Sequence, residues 1–392
     1  MVKNGKWQRF KAYGLYVFCL TLVLVAVGCK QEAVKAESPK PSHGELLAAY
    51  VAKMPLEERL GQMLFVGIPG TEYDAVAQKL VEECHAGGVI HFDRNLADSA
   101  QVKALNKALQ AGAQGTGAKI PLFISIDQEG GQVARMRDTL VVAPSAATLG
   151  EAGKPEAVKE WAVKTAQSLK EHGFNTNFAP VADLGLTANR SYGNTPKQVI
   201  PMVEAAMEGY AGEKMMCSLK HFPGLGKMQV DPHYDTSAIN AGREELLSND
   251  MLPFLTMVNK RPADTYMIMV SHPVYPAFDK EPASVSKVLL TDVLRNEWQY
   301  RGIIITDDMA MGGLSRVYSN EEMGPKAVEA GVDILLSCDS NPTMSYTIYN
   351  AVLNAVRQGK IKEEKINASV VRILAAKEAI GIWHLDTGSG IK

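Results

Sequence analysis

Eight short apolar or β-branched runs, each followed by a segment of helical spacing, restrict what this chain can fold into. The runs fall at 63–67, 88–92, 121–126, 178–183, 216–221, 266–271, 303–306 and 333–337. Helical patterns lie near 74–86, 99–112, 156–172, 197–213, 244–260, 287–299, 321–330 and 344–358. Strand and helix in strict alternation imply parallel strands joined by crossover helices. Eight such units predict an α/β fold, a (β/α)8 barrel of the TIM-like type. An open doubly wound sheet is the alternative, and it needs a glycine-rich phosphate turn after the first strand. Ile-Pro-Gly-Thr-Glu-Tyr, the sequence after Gly67, does not supply one. Pro55 with Glu57 and Glu58 opens an early helix, and Gly173 ends the helix that runs to His172.

The first residues are a different material. Lys3, Lys6, Arg9 and Lys11 precede an almost wholly apolar stretch at 12–28, and Ala26-Val27-Gly28 stand before Cys29. A basic start, an apolar middle and small residues at the end describe an export signal. Small residues directly before a cysteine look like a bacterial lipobox, so residues 1–28 are expected to be a lipoprotein-type signal peptide and Cys29 the lipidated residue. Ala26 stands where such boxes prefer Leu; an ordinary cleaved signal and an uncleaved anchor helix are the alternatives. Residues 29–44 read as a flexible tether, and 45–392 as one barrel domain. Localisation follows as exported and membrane-anchored, facing periplasm or cell exterior. A net charge of -2 gives no field for nucleic acid, so the expected partners are a neutral or modestly charged small molecule and, through the lipid, a membrane. Cys84, Cys217 and Cys338 have no zinc-type spacing and are expected to be buried free thiols.

Chemistry in a barrel sits at the carboxyl ends of its strands. Here the runs end in Asp93 and Arg94, Asp127 with Glu129, Asp183, Lys220 with His221, Ser271 with His272, Asp307 with Asp308, and Asp339. One Asp after one strand would read as a helix cap. Repetition on one rim reads as a polar mouth. Asp307 directly follows its strand and is a candidate nucleophile or general base, whereas Asp308 is expected to begin or cap the next helix. Past Lys220 and His221, Pro223, Gly224 and Gly226 break the chain into a loop that carries Asp231, His233 and Asp235. Of the other histidines, His43, His85, His172 and His384 are expected at the surface, His91 packed within its strand, and His272 beside the site.

Four motifs in this order resemble the glycoside hydrolase family 3 β-N-acetylhexosaminidases, in their single-domain bacterial lipoprotein form. They are Asp127-Gln128-Glu129-Gly130-Gly131, Arg190-Ser191-Tyr192-Gly193, Lys220-His221-Phe222-Pro223-Gly224 with Asp231 and His233, and Thr306-Asp307-Asp308-Met309. The similarity runs from Leu56 to Asp333. It implies Asp307 as catalytic nucleophile and His233, paired with Asp231, as acid/base. Asp127, Arg135, Arg190, Lys220 and His221 match the residues that hold the N-acetylglucosamine ring. Departures from the pattern are Gln132 for Arg, Leu225 for His and Pro232 for Ser, none of them at a catalytic position. The implied activity is retaining hydrolysis of terminal β-linked N-acetylglucosamine, from muropeptides or chitooligosaccharides, by a monomer without cofactor or metal.

The physical chemistry agrees. A retaining glycosidase needs a rigid carboxylate under the anomeric carbon and an acid about 5 Å away that later acts as base. An imidazole titrating near pH 6.5 suits the second role, with a carboxylate to fix its tautomer. Three other functions use overlapping residues. A barrel metallohydrolase would take His221, Asp231, His233 and Asp235 as ligands; a sugar-binding lipoprotein would keep Asp127 and Lys220 without needing Asp307. A phosphorylase on the same site would let phosphate replace water, since a neutral histidine does not repel it. For Lys220, Arg190 and Asp127 a purely structural ion-pair network at the rim is the alternative role.

Overall fold

Strands covered by helices outside and filled by side chains inside are apolar at consecutive rather than alternate positions. In the computed structural model, which describes residues 41–228 and 238–386, every strand residue is buried. The strands are β1 (Leu64–Gly67), β2 (Gly88–His91), β3 (Phe123–Ile126), β4 (Thr176–Asn177), β5 (Met216–Phe222), β6 (Tyr266–Val270), β7 (Ile303–Thr306) and β8 (Leu335–Ser337). They pair in parallel in the order β7-β6-β5-β4-β3-β2-β1-β8. The amides of Asp333 and Ile334 donate to the Ile304 carbonyl, and Thr306 N donates to the Ile334 carbonyl. These bonds join β8 to β7 and close the barrel, which excludes the open sheet. Cys29, Asp231 and His233 lie outside the described residues.

Helices occupy all eight expected segments, one of them broken in two, and one strand is shifted. The stretch 244–260 is two helices, Arg243–Ser248 and Leu252–Lys260, because Pro253 cannot donate into a continuing turn and instead sits at the start of the second. β4 is Thr176–Asn177 rather than 178–183. Pro180 has no amide for the ladder, so regular pairing ends at Asn177; beyond it the carbonyls of Ala179 and Pro180 still accept from Ser218 N and Lys220 N, and Val181 bridges to Lys220. Helices His43–Lys53, Ala146–Ala152 and Glu363–Ala379 were not foreshadowed by the strand–helix rhythm. The first is capped by Ser42, so ordered structure begins two residues before the expected end of the tether.

Helix Glu363–Ala379 crosses the amino-terminal end of the barrel, opposite the carboxyl ends of the strands. Its Ser369 and Arg372 donate to Oδ1 of Asp333, just before β8, at 2.8 Å and at 3.0 and 2.7 Å. Arg295 and the amide of Ile304 donate to Oδ2. Lys377, on the same helix, donates to Gln62 Oε1 at 2.8 Å and to the Gly87 carbonyl at 3.1 Å, under β1 and β2. Burial pushes its ammonium well below the usual lysine range.

Cys84, Cys217 and Cys338 are free and buried, and His91 is fully buried in β2, as expected. His172 is not at the surface. It is 4% exposed, with Nε2 against Ser99 Oγ at 2.9 Å and Nδ1 on the Ser168 carbonyl at 2.8 Å. A terminal helical residue can turn inward when a neighbouring helix offers a hydroxyl, and helical spacing alone does not reveal that neighbour.

Candidate active site

β3 ends in Asp127-Gln128-Glu129. Residues two apart in extended chain share a face, so Asp127 and Glu129 both turn to the barrel mouth. Gln128, between them, turns away: its amide binds Asn177 Oδ1 at 3.0 Å and its Oε1 accepts from Arg135 N at 2.8 Å. That second bond folds the loop back so that Arg135 also lines the mouth. The return needs Gly130, whose φ of +96° is in the region disfavoured for side chains. A Cβ there would lie 2.8 Å from the carbonyl oxygens of Ala143 and Pro144.

β5 contributes Lys220 and His221. Consecutive strand residues normally face opposite sides, but the pairing of β5 with β6 shifts between Leu219 and Phe222, and both side chains line the same cavity. Lys220 Nζ donates to Asp127 Oδ1 at 2.7 Å and to Glu129 Oε1 at 2.8 Å, with only 3% of its side chain exposed. Glu129 also takes a fork from Arg190, Nε to Oε2 at 2.9 Å and Nη2 to Oε1 at 2.7 Å. Burial favours protonated Glu129, yet Lys220 and Arg190 outweigh it and hold the carboxyl at about 2. Burial likewise opposes charge on Lys220, and Asp127 and Glu129 overcome it, so its pKa is raised. The four groups form an alternating carboxylate–cation bed. His221 Nδ1 meets Asp183 Oδ2 at 2.7 Å.

β7 ends in Asp307. The Asp308 amide donates to its Oδ1 at 2.9 Å, and its own amide donates to the Val270 carbonyl at 2.8 Å, which seats it on the strand end. Burial would raise its pKa, but the imidazoles of His221 and His272, the Asp308 amide and Lys220 bring it below the usual aspartate value. Asp308 does not cap the next helix. The residue at that helix start is Met311; Asp308 Oδ1 instead accepts from Ala310 N at 3.1 Å and Cys338 N at 3.0 Å, tying the end of β7 to the end of β8. Burial raises its pKa. His272 does sit beside the site, with Nδ1 on Ser284 Oγ at 2.7 Å and Nε2 on the Asp308 carbonyl at 2.9 Å.

Asp127, Arg135, Arg190, Lys220 and His221 all line one cavity of about 410 Å³ with Asp307. The structure therefore brings together every candidate residue that it describes. Arg135 reaches it while holding Asp93 at 2.9 Å. Sequence reasoning placed Glu129 and Asp183 at strand ends but gave neither a role. For Glu129 the spacing from Asp127 carried the signal; for Asp183 nothing did, since its partners lie 38 and 42 residues away. Among the described residues no group of three or more His, Cys, Asp or Glu could hold a metal ion. An ionised carboxylate facing a bed of paired donors and acceptors can bind a polyhydroxylated ring and attack it from one side.

The model of the glycosyl hydrolase family 3 N terminal domain matches residues 55–376. A Beta-hexosaminidase of Tolumonas auensis is 33% identical over 283 residues, 71% of this chain and 83% of that protein. Beta-hexosaminidase A of Pseudoalteromonas piscicida is 31% identical over 327 residues, 76% of this chain and 54% of the longer relative. Among solved structures, a glycoside hydrolase family 3 beta-N-acetylglucosaminidase from Paenibacillus sp. superposes with a TM-score of 0.80 at 34% identity, covering 86% of this chain and 66% of that one. Beta-N-acetylhexosaminidase from Beutenbergia cavernae gives a TM-score of 0.76 at 25% identity, over 83% of this chain and 99% of that one.

Proposed function

Because the chain belongs to glycosyl hydrolase family 3, we propose that it releases terminal β-linked N-acetylglucosamine from glycans by a retaining double displacement. The enzyme class is β-N-acetylhexosaminidase, the activity named for its relatives. The observation that carries the reading is Asp307, ionised and seated on β7, in one cavity with the Asp127–Lys220–Glu129–Arg190 bed. Lys220 and Arg190 donate to ring hydroxyls and Asp127 accepts from them. An Asp307 oxygen attacks the anomeric carbon while His233, oriented by Asp231, gives its proton to the departing glycosidic oxygen. His233 then takes a proton from water, which attacks the same carbon and frees Asp307. The roles of His233 and Asp231 are supported by the motif resemblance. Peptidoglycan and chitin fragments are the substrates this reading favours.

The charges also favour water over phosphate as acceptor. Arg135, Arg190 and Lys220, the Lys and Arg side chains that line the cavity among the described residues, are each already paired with a carboxylate. The stretch 229–237 contains no Lys or Arg in its sequence and carries Asp231 and Asp235. A phosphate dianion competing for Lys220 or Arg190 would have to break a pair with the buried Glu129, leaving a carboxylate unmatched at a cost of a few kcal/mol; the Arg135 pair, whose Asp93 is 70% exposed, is a weaker obstacle.

Hydrolysis of aryl N-acetyl-β-glucosaminides tests this directly. His233→Ala is expected to slow poor leaving groups by about 10²–10⁴-fold and good ones far less, because only the former need general acid help. Equal losses across the series would remove His233 from that role. Free N-acetylglucosamine should remain the product with inorganic phosphate present; a sugar 1-phosphate would establish the phosphorylase. Anchorage through Cys29 belongs to the same reading, and loss of detergent-phase partitioning in Cys29→Ser checks it.

A further inference from the structure

Asp183 follows β4, is fully buried and does not line the cavity. A buried carboxylate is costly unless its oxygens are matched. Its side chain is matched by one short segment, the end of β5 and the turn after it. His221 N lies 3.3 Å from Oδ1 and 3.2 Å from Oδ2, Leu225 N lies 2.7 Å from Oδ1, and His221 Nδ1 lies 2.7 Å from Oδ2.

Holding the backbone would need only the two amides. The ring contact does something more. An ionised carboxylate can only accept, so the Nδ1 facing it must carry the hydrogen. Since His221 lines the cavity and its Nδ1 edge is occupied by Asp183, the edge left for a ligand is Nε2. Free histidine exchanges between tautomers and rotates; here one partner removes both freedoms before substrate arrives.

We propose that Asp183 is a positioning residue for sugar binding, which fixes the protonated nitrogen and the orientation of His221 so that Nε2 meets a ring hydroxyl. This rests on the reading that His221 contacts the sugar. Asp183→Asn is the informative change, because it keeps the shape and the acceptor for Leu225 N. The amide NH2 would then face Nδ1 and force the hydrogen to Nε2. Neutral imidazole with the hydrogen on the wrong nitrogen can abolish the function of a histidine while leaving its position intact.

The test combines nitrogen-15 NMR of the histidine ring with kinetics on an aryl N-acetyl-β-glucosaminide. In the wild type, His221 Nδ1 is expected to be protonated. In Asp183→Asn it is expected to be unprotonated, with kcat/KM lower by about 10²-fold and most of the loss in KM. On a His221→Gln background the same Asp183→Asn change should cost less than about twofold, since Asp183 acts through the ring. An unprotonated Nδ1 in the wild type overturns the proposal without any variant. An equal loss from Asp183→Asn on both backgrounds overturns it too, by assigning Asp183 a structural role only. A wild type with no glycosidase activity would instead defeat the functional reading, while the ring measurement would still decide the tautomer.

Discussion

Asp307→Ala is expected to lower kcat/KM for an aryl N-acetyl-β-glucosaminide on the order of 10⁴-fold, with folding unchanged. Losses of this size are what removal of a residue that acts covalently produces in other enzymes. The side chain is small, lies at the cavity, and makes its bond to the Asp308 amide locally. Its truncation therefore removes a reacting oxygen and little structure. Added azide should restore part of the turnover, filling the space under the anomeric carbon and giving a glycosyl azide of inverted configuration. Activity within tenfold of wild type would mean that another group attacks. The pH profile supplies an independent check. On the proposed mechanism ionised Asp307 makes the attack, so activity is expected above its pKa and a loss of activity below it. That pKa lies below the ordinary aspartate value, because His221, His272, the Asp308 amide and Lys220 outweigh burial. An acid limb centred at higher pH must then belong to a different group.

Asp333→Ala is expected to destabilise the fold by about 3–5 kcal/mol, the range for removing one partner of a buried ion pair. Asp333 is fully buried and joins three parts of the barrel floor. Arg295 comes from the helix before β7, the Ile304 amide from β7 itself, and Ser369 with Arg372 from the helix that crosses the bottom. Truncation leaves two guanidinium groups without their anion. Urea unfolding should show a lower midpoint, and a shift under about 1 kcal/mol would show that the cluster is replaceable. The acid dependence has a definite sign. Burial raises the Asp333 pKa, Arg295 and Arg372 lower it further, and the net value is depressed. Its contribution is thus complete above the unfolded aspartate pKa and lost only as pH falls through the folded one. Catalytic parameters measured on the folded fraction should be unchanged, since the cluster lies at the end of the barrel away from Asp307.

Much of this was legible in the chain. Parallel strands buried on both faces leave unbroken apolar runs, and the runs at 303–306 and 216–221 locate β7 and β5 to within a residue. Polar groups at the carboxyl end of a strand project into the mouth, so Asp307, Lys220, His221 and Asp127 were identifiable from where the runs stop. The misplaced β4 has a local cause, the missing amide of Pro180. The helix Glu363–Ala379 is different. It crosses the barrel end instead of continuing the β–α rhythm, and its half-buried Arg372 and buried Lys377 look like surface charges until Asp333, Gln62 and Gly87 are brought beneath them.

Sequence alone determined the barrel and the identities of the groups on its rim, because strand period and strand ends are local properties of the chain. Tertiary structure decided which of those groups answer one another. Glu129 meets Arg190 across 61 residues and Lys220 across 91, and Asp183 meets His221 across 38. A carboxylate is kept ionised, and an imidazole kept in one orientation, by whatever charge or donor lies within about 3 Å. In a closed barrel that neighbour is set by how adjacent strands align, which no short stretch of sequence contains.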